Sequence, residues 1–262
     1  FPEMPADVKI TAAWDPNPEK TERLASMYGI DHPCTTLEEA LDRADAIIIP
    51  DDAVLTHHRW ALPVMERRLP FFLDKPMAPS YIEAKHIVEQ ARAVGAVMFS
   101  SSALAFTREL AAISPRLDEE GGVKLAVAAG PNGKFLFYGI HPVTAVYSLF
   151  GPGIVSVQNT GTPGHHAVRF EWKSGRTGIF VVDPRVRGFA LTLYTAKGAH
   201  HVTIQDSRYF YFNLLVHFVQ MAVTGKIPVP WEHTLEIIRA LETVEQAALR
   251  HDSSVQKLGE ML

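Results

Sequence analysis

Phe71-Phe72-Leu73-Asp74-Lys75-Pro76 is the stretch of this chain whose residue types are best arranged for chemistry. The three apolar residues read as the end of a buried strand. An acid, a base and a proline follow at once. Charge and proline suffice to stop a strand. In a parallel sheet, however, the carboxyl edge is where ligands bind, so a lysine delivered there is placed to act on a bound molecule. A second carboxylate, Asp15, ends another apolar run, VKITAAWD at 8–15, and occupies the same kind of position.

The elements that must carry these groups follow from periodicity. The run ending in Asp15 reads as a strand. Asn17 and Pro18 cap and start a helix, and Gly29 closes it. Thr36 with Glu39, and Ser80 with Glu83, have capping-box spacing and open two further helices. DAIIIP at 45–50 is a short, wholly apolar strand of the kind buried on both faces. THHRWALPVMERR at 56–68 reads as a helix, with Pro63 against it, and AVMFSS at 96–101 as another strand. This alternation predicts a doubly wound parallel sheet.

In that fold, an acid ending the second strand accepts hydrogen bonds from the ribose hydroxyls of a dinucleotide and disfavours a 2′-phosphate. The glycine-rich phosphate loop would lie about 20 residues earlier, before residue 1. The plain alternative for Asp15 is turn chemistry, since Asp-Pro-Asn-Pro suits a turn.

After residue 105 the pattern turns to six strand-like segments, two of them joined to their successors by the short glycine-containing links KSGR (173–176) and AKGA (196–199). An antiparallel sheet is expected there, interrupted by a helix around 141–151 and followed by two terminal helices.

Composition narrows the function classes. Among 262 residues, 47% are hydrophobic, enough for a sizeable core, and the net charge of −4 offers no basic face for nucleic acid or anionic membrane. One cysteine, Cys34, excludes an intrachain disulfide and fits a reducing, cytoplasmic setting. Neither a membrane span nor a signal peptide is visible, and the absence of an initiator Met suggests that Phe1 is not the natural start.

Five places together resemble the Gfo/Idh/MocA family of NAD(P)-dependent oxidoreductases: AAWDPNPEK (12–20), IIIP (47–50), His57 seventeen residues before Asp74, DKPMA (74–78) and GIHPVTAVYSLFG (139–151). The helix LEIIRALETVEQAA also fits. The resemblance covers nearly the whole chain. It implies an α/β fold: a Rossmann-type parallel-sheet domain at 1–102, without its first strand in this sequence, and an α+β domain with an open antiparallel sheet at 103–262. It implies NAD as cofactor, with NADP possible, and a sugar, cyclitol or related polyol as substrate. The implied catalytic residues are Lys75 and His141, and the implied cofactor neighbours are Asp15, Pro50, His57, Asp74, Lys75 and Pro76. No metal is expected. A neutral imidazole near pH 7 can take the hydroxyl proton of an alcohol losing hydride. A nearby ammonium can steady the developing alkoxide, and Asp74 can hold Lys75.

The chain departs from the family at two positions. Phe137 stands where a D-x-G-x-H pattern has its acid, and Thr144 where a second acid is frequent. These losses leave open a catalytically silent regulator that binds a dinucleotide or sugar. Three further groups read as structural. The pairs His165–His166 and His200–His201 point to opposite strand faces, are expected exposed or partnered, and do not chelate as pairs. Tyr209-Phe210-Tyr211-Phe212 reads as core, and Arg185 and Arg187 as exposed. Apolar residues at both parities of the late strands predict a sheet buried on both faces, hence a homodimer or homotetramer packed sheet to sheet.

Overall fold

The computed structural model describes residues 2–259. The first part alternates as its pattern predicts: β1 (Ala12–Ala13), α1 (Pro18–Tyr28), β2 (His32–Pro33), α2 (Leu37–Leu41), β3 (Ile47–Ile49), α3 (His57–Glu66), β4 (Phe71–Leu73), α4 (Tyr81–Val94) and β5 (Met98–Phe99). The caps are those the residue types require. The Asn17 side chain accepts the N–H of Glu19, Thr36 that of Glu39, and Ser80 that of Glu83, while Gly29 and Gly95 close α1 and α4 in the left-handed conformation. Pro63 lies inside α3 without ending it.

The parallel strands form two pieces, β1 with β2 and β3-β4-β5. Phe71, Leu73 and Met98 are fully buried against α3 and α4, among Ala61, Val64, Ala84 and Ile87. Each such large apolar side chain contributes about 1.5–3 kcal/mol. β3 differs from expectation, because Ile48 is 40% exposed. β4 covers one edge of β3, and no described strand pairs with the other.

The second part contains a helix that the strand-like reading missed, α5 (Arg108–Glu119). Its buried residues, Leu110 and Leu117, lie seven apart on one helical face, and Pro115 between them obscures the pattern. Then come β6 (Leu125–Gly130), α6 (Ile140–Phe150), β7 (Ile154–Asn159), β8 (His166–Trp172), β9 (Thr177–Val182), β10 (Phe189–Tyr194), β11 (Ala199–Ile204), α7 (Ser207–Thr224), α8 (Trp231–Leu249) and β12 (Gln256–Lys257). KSGR and AKGA join antiparallel neighbours, as read.

The sheet is nonetheless mixed rather than antiparallel. Its order is β11-β10-β6-β9-β8-β7-β12, and β6 runs parallel to β9, with Leu125 opposite Thr177. Hairpin signals report only strands adjacent in sequence, whereas β6 enters between β9 and β10 from the helical segments before and after it. One sheet face is closed by Phe170, Trp172, Phe180 and Val182 packed with Val143, Val146 and Phe150 of α6. On the other face Val127, Ile179 and Val181 remain half-buried and Arg169 is exposed, so within one chain only one face is fully buried. Leu235 and Ile238 of α8 return to the first core and pack with α4. Among the described residues, no helix is long and apolar enough to cross a membrane.

Candidate active site

Strands β3, β4 and β5 run parallel, so their carboxyl ends share one edge. That edge gathers Pro50, Asp74-Lys75-Pro76 and Ser100-Ser101-Ser102. The Asp74 N–H donates to Ile49 O at 3.0 Å, drawing the ends of β3 and β4 together. The Lys75–Pro76 peptide is cis. Pro76 and Met77 are buried, whereas Asp74 and Lys75 are half-buried and Pro50 is exposed. Lys75 Nζ lies 4.0 Å from the ring centroid of Phe137 and 5.9 Å from that of Tyr138. The ammonium therefore faces aromatic rings where the family pattern has a carboxylate.

Phe137 and Tyr138 belong to a π turn, Phe135–Gly139, that leads directly into α6. Gly139 is required by packing. A Cβ there would lie 2.9 Å from the buried Phe135 ring. The turn brings His141 into the first turn of α6, edge-on to Tyr138 (5.7 Å) and Phe189 (5.4 Å). His141 Nδ1 lies 2.8 Å from Ser102 Oγ. Burial, followed by the charge of Lys75, lowers the His141 pKa to about 3, so the imidazole is neutral at pH 7. Lys75 and His141, 66 positions apart in sequence, thus share one electrostatic environment.

Burial raises the Asp74 pKa, against the Lys75 N–H and the charge of Lys75. Tyr211 of α7, expected in the core, is 60% exposed. Its phenol is pushed up by partial burial and then by Asp74, which places α7 beside the DKP segment. Phe210 alone among its neighbours in that run is in the core.

His57 is only 1% exposed. Its Nδ1 faces Met77 O at 3.1 Å and its Nε2 faces Asp51 O at 2.6 Å. With both nitrogens engaged by backbone carbonyls, it braces the segment following Lys75. Asp15, half-buried two residues beyond β1, accepts the Asn17 N–H on Oδ1 at 2.8 Å, and Lys20 Nζ is 3.9 Å from Oδ2. Trp14 beside it packs edge-on against Trp60 of α3 at 5.2 Å.

Residues 2–102 match the model of an oxidoreductase family with an NAD-binding Rossmann fold, Gfo/Idh/MocA. These residues carry the chain's likeness to the Gfo/Idh/MocA oxidoreductases. The fold extends across both parts. The chain is similar to myo-inositol dehydrogenase from Corynebacterium glutamicum (17% identity, 96% of this chain and 91% of that one, TM-score 0.81). It is also similar to myo-inositol dehydrogenase from Lactobacillus casei in complex with NAD(H) and myo-inositol (14%, 96% and 89%, 0.81). A third similar structure is GenD2 from gentamicin A biosynthesis in complex with NAD (16%, 96% and 89%, 0.80). At these identities the likeness establishes the fold. No curated protein matches the sequence.

Several residues at this carboxyl edge carry little signal in the sequence. Ser100 Oγ donates to Asp74 O at 3.3 Å, and Thr234 Oγ1 of α8 donates to Ser100 O at 2.9 Å. Asp51 accepts from Thr56 Oγ1, from Ala53 N at 2.9 Å and from Trp60 Nε1 at 3.0 Å. Burial raises its pKa, but these hydrogen bonds outweigh it and the carboxyl stays low. The available signal was SSS directly after an apolar strand, which reads as a plain strand end.

The remaining polar pairs lie in the mixed-sheet half. His165 Nδ1 meets Asp183 Oδ2 at 2.9 Å, and His200 Nε2 meets Glu120 Oε2 at 2.7 Å. Asp183 also binds the exposed Arg185 through two oxygens. His166 is partnered through Nδ1, which lies 3.3 Å from Asn159 Nδ2. It is buried with Nε2 unpartnered, because it is the inward residue of β8. Among the described residues, no cluster of three or more His, Cys, Asp or Glu could hold a metal.

Proposed function

We propose that the chain transfers a hydride between NAD and a hydroxyl or carbonyl carbon of a sugar, cyclitol or related polyol, with His141 as proton acceptor and Lys75 steadying the substrate oxygen. The observation that carries this reading is the shared environment of Lys75 and His141 at the carboxyl edge, where the charge of one depresses the pKa of the other. When bound, NAD supplies the acceptor or donor of the hydride. The residues present fit it. Asp15 keeps Oδ2 beyond hydrogen-bond reach of Lys20, which suits ribose hydroxyls and disfavours a 2′-phosphate. Pro50 and Asp74 flank the same edge, and His57 and Pro76 hold the segment in place.

In oxidation, neutral His141 takes the hydroxyl proton as the carbon gives up hydride. The Lys75 ammonium stabilises the alkoxide that develops. A buried, largely apolar setting strengthens that interaction. The nucleotide part is assigned to residues 1–102 and the substrate part to 103–262. The half-buried apolar centre of the outer sheet face supports a homodimer or a pair of dimers, and the composition supports a cytoplasmic setting.

Lys75→Met should lower turnover of NAD with myo-inositol or another accepted polyol by about 10²-fold or more, with the melting temperature retained. Unchanged turnover would end the assignment. One observation favours a second reading. Lys75 stacks on Phe137 in place of an acid, which suits a silent dinucleotide- or sugar-binding regulator. NAD binding without turnover across a polyol panel would select it.

A further inference from the structure

An imidazole acting as a base needs one nitrogen free for the substrate and a partner that keeps the proton on the other. In this chain Phe137 stands where a helping acid is expected, and Thr144 where a second acid is frequent. His141 Nδ1 instead meets Ser102 Oγ at 2.8 Å. Ser102 is wholly buried. The Leu104 N–H donates to the same oxygen at 3.2 Å, a bond in which Ser102 can only accept. A hydroxyl oxygen accepts two bonds and donates one. If Nδ1–H also donates, the Ser102 proton needs an acceptor of its own.

Such an acceptor has a place. A cavity of about 60 Å³ is lined by Ser100, Ser101, Ser102, Thr144, Tyr147 and His233, among others. A water needs only about 10–15 Å³ and two to four polar partners. Three hydroxyls around it already donate elsewhere: Ser101 Oγ to Ser102 O at 3.2 Å, Ser100 Oγ to Asp74 O, and Tyr147 OH to Glu236 Oε2 at 2.5 Å. Each retains lone pairs that can receive a water proton.

We propose that Ser102 is the positioning residue of His141, accepting the Nδ1–H while its own hydroxyl donates a hydrogen bond to cavity water, so that the Nε2 lone pair is kept for the substrate. This rests on the assignment of His141 as proton acceptor. Ser102 is a neutral replacement for a carboxylate, reached from β5 rather than from the turn before α6. A neutral partner does not stabilise an imidazolium, which accords with the depressed His141 pKa. Proton transfer stays a single exchange. The substrate O–H bond breaks, an Nε2–H bond forms, and the Nδ1–H···Oγ bond shortens as the ring gains charge.

The test uses the full chain labelled with ¹⁵N-histidine, the His141 resonances being identified by their loss in His141→Asn. Wild type should show a protonated Nδ1 and an unprotonated Nε2. Ser102→Ala should move the proton toward Nε2 and lower kcat for NAD with myo-inositol, or another accepted polyol, by about 10-fold or more, with KM for NAD unchanged. Ser102→Thr should restore both tautomer and kcat. A wild-type Nε2–H tautomer, or an unaltered tautomer in a folded Ser102→Ala, would overturn the proposal. Wild-type turnover in His141→Asn would instead remove the base assignment, an outcome the tautomer readout keeps separate.

Discussion

The Lys75 ammonium lies 4.0 Å from the ring centroid of Phe137, the residue four positions before His141. An aromatic quadrupole therefore fixes the lysine without removing its charge from the neighbourhood of the imidazole. Phe137→Leu should loosen Lys75 and lower kcat/KM about 2- to 30-fold, the range of about 0.5–2 kcal/mol for such contacts. Steady-state kinetics with an accepted polyol checks this. An effect confined to KM for NAD would place Phe137 elsewhere in the site.

His57 ties Asp51 to Met77 through two backbone carbonyls. His57→Ala removes the buried imidazole from between the two carbonyls and opens a void. The expected cost is about 2–4 kcal/mol, read from the denaturant midpoint. A variant with unchanged stability but poorer NAD binding would show that His57 contacts the cofactor directly.

His141 makes stability depend on pH. Its pKa falls from 6.5 to about 3 on folding, so the unfolded chain binds a proton that the folded chain refuses. Stability is complete above pH 6.5 and declines as pH falls from 6.5 toward 3. At pH 5 this one group removes about 2 kcal/mol relative to pH 7. Urea unfolding at both pH values should show a smaller difference in His141→Asn than in wild type. Equal differences would mean that His141 is protonated in the folded protein.

The outer face of the mixed sheet carries Val127, Ile179 and Val181, all half-buried. Val181→Glu places a charge at the centre of the proposed interface. Light scattering at micromolar concentration should show wild type as a dimer or tetramer and the variant at a lower mass. A monomeric wild type would remove the interface.

Much of the first part could be read from the chain alone. Caps such as Asn17, Thr36 and Ser80, and apolar runs such as Phe71–Leu73, act within a few residues, so their meaning is carried locally. The same holds for the two glycine-containing hairpins and for Lys75 at the mouth of β4. Helix α5 was missed because Pro115 breaks a local rule that tertiary packing of Leu110 and Leu117 overrides. The parallel pairing of β6 with β9 was also invisible, since register between strands distant in sequence depends on the packing of α6 rather than on any turn.

The site divides the same way. Sequence determined that an acid, a lysine and a histidine were present in segments able to reach a sheet edge. Tertiary structure decided what they face: Lys75 an aromatic ring, His57 two carbonyls, and His141 the hydroxyl of Ser102. These contacts span 20 to 62 residues or join main chain to side chain, and no short-range pattern encodes them. The pKa of His141 depends on them most of all, because desolvation and the field of Lys75 exist only once the two halves of the chain have packed together.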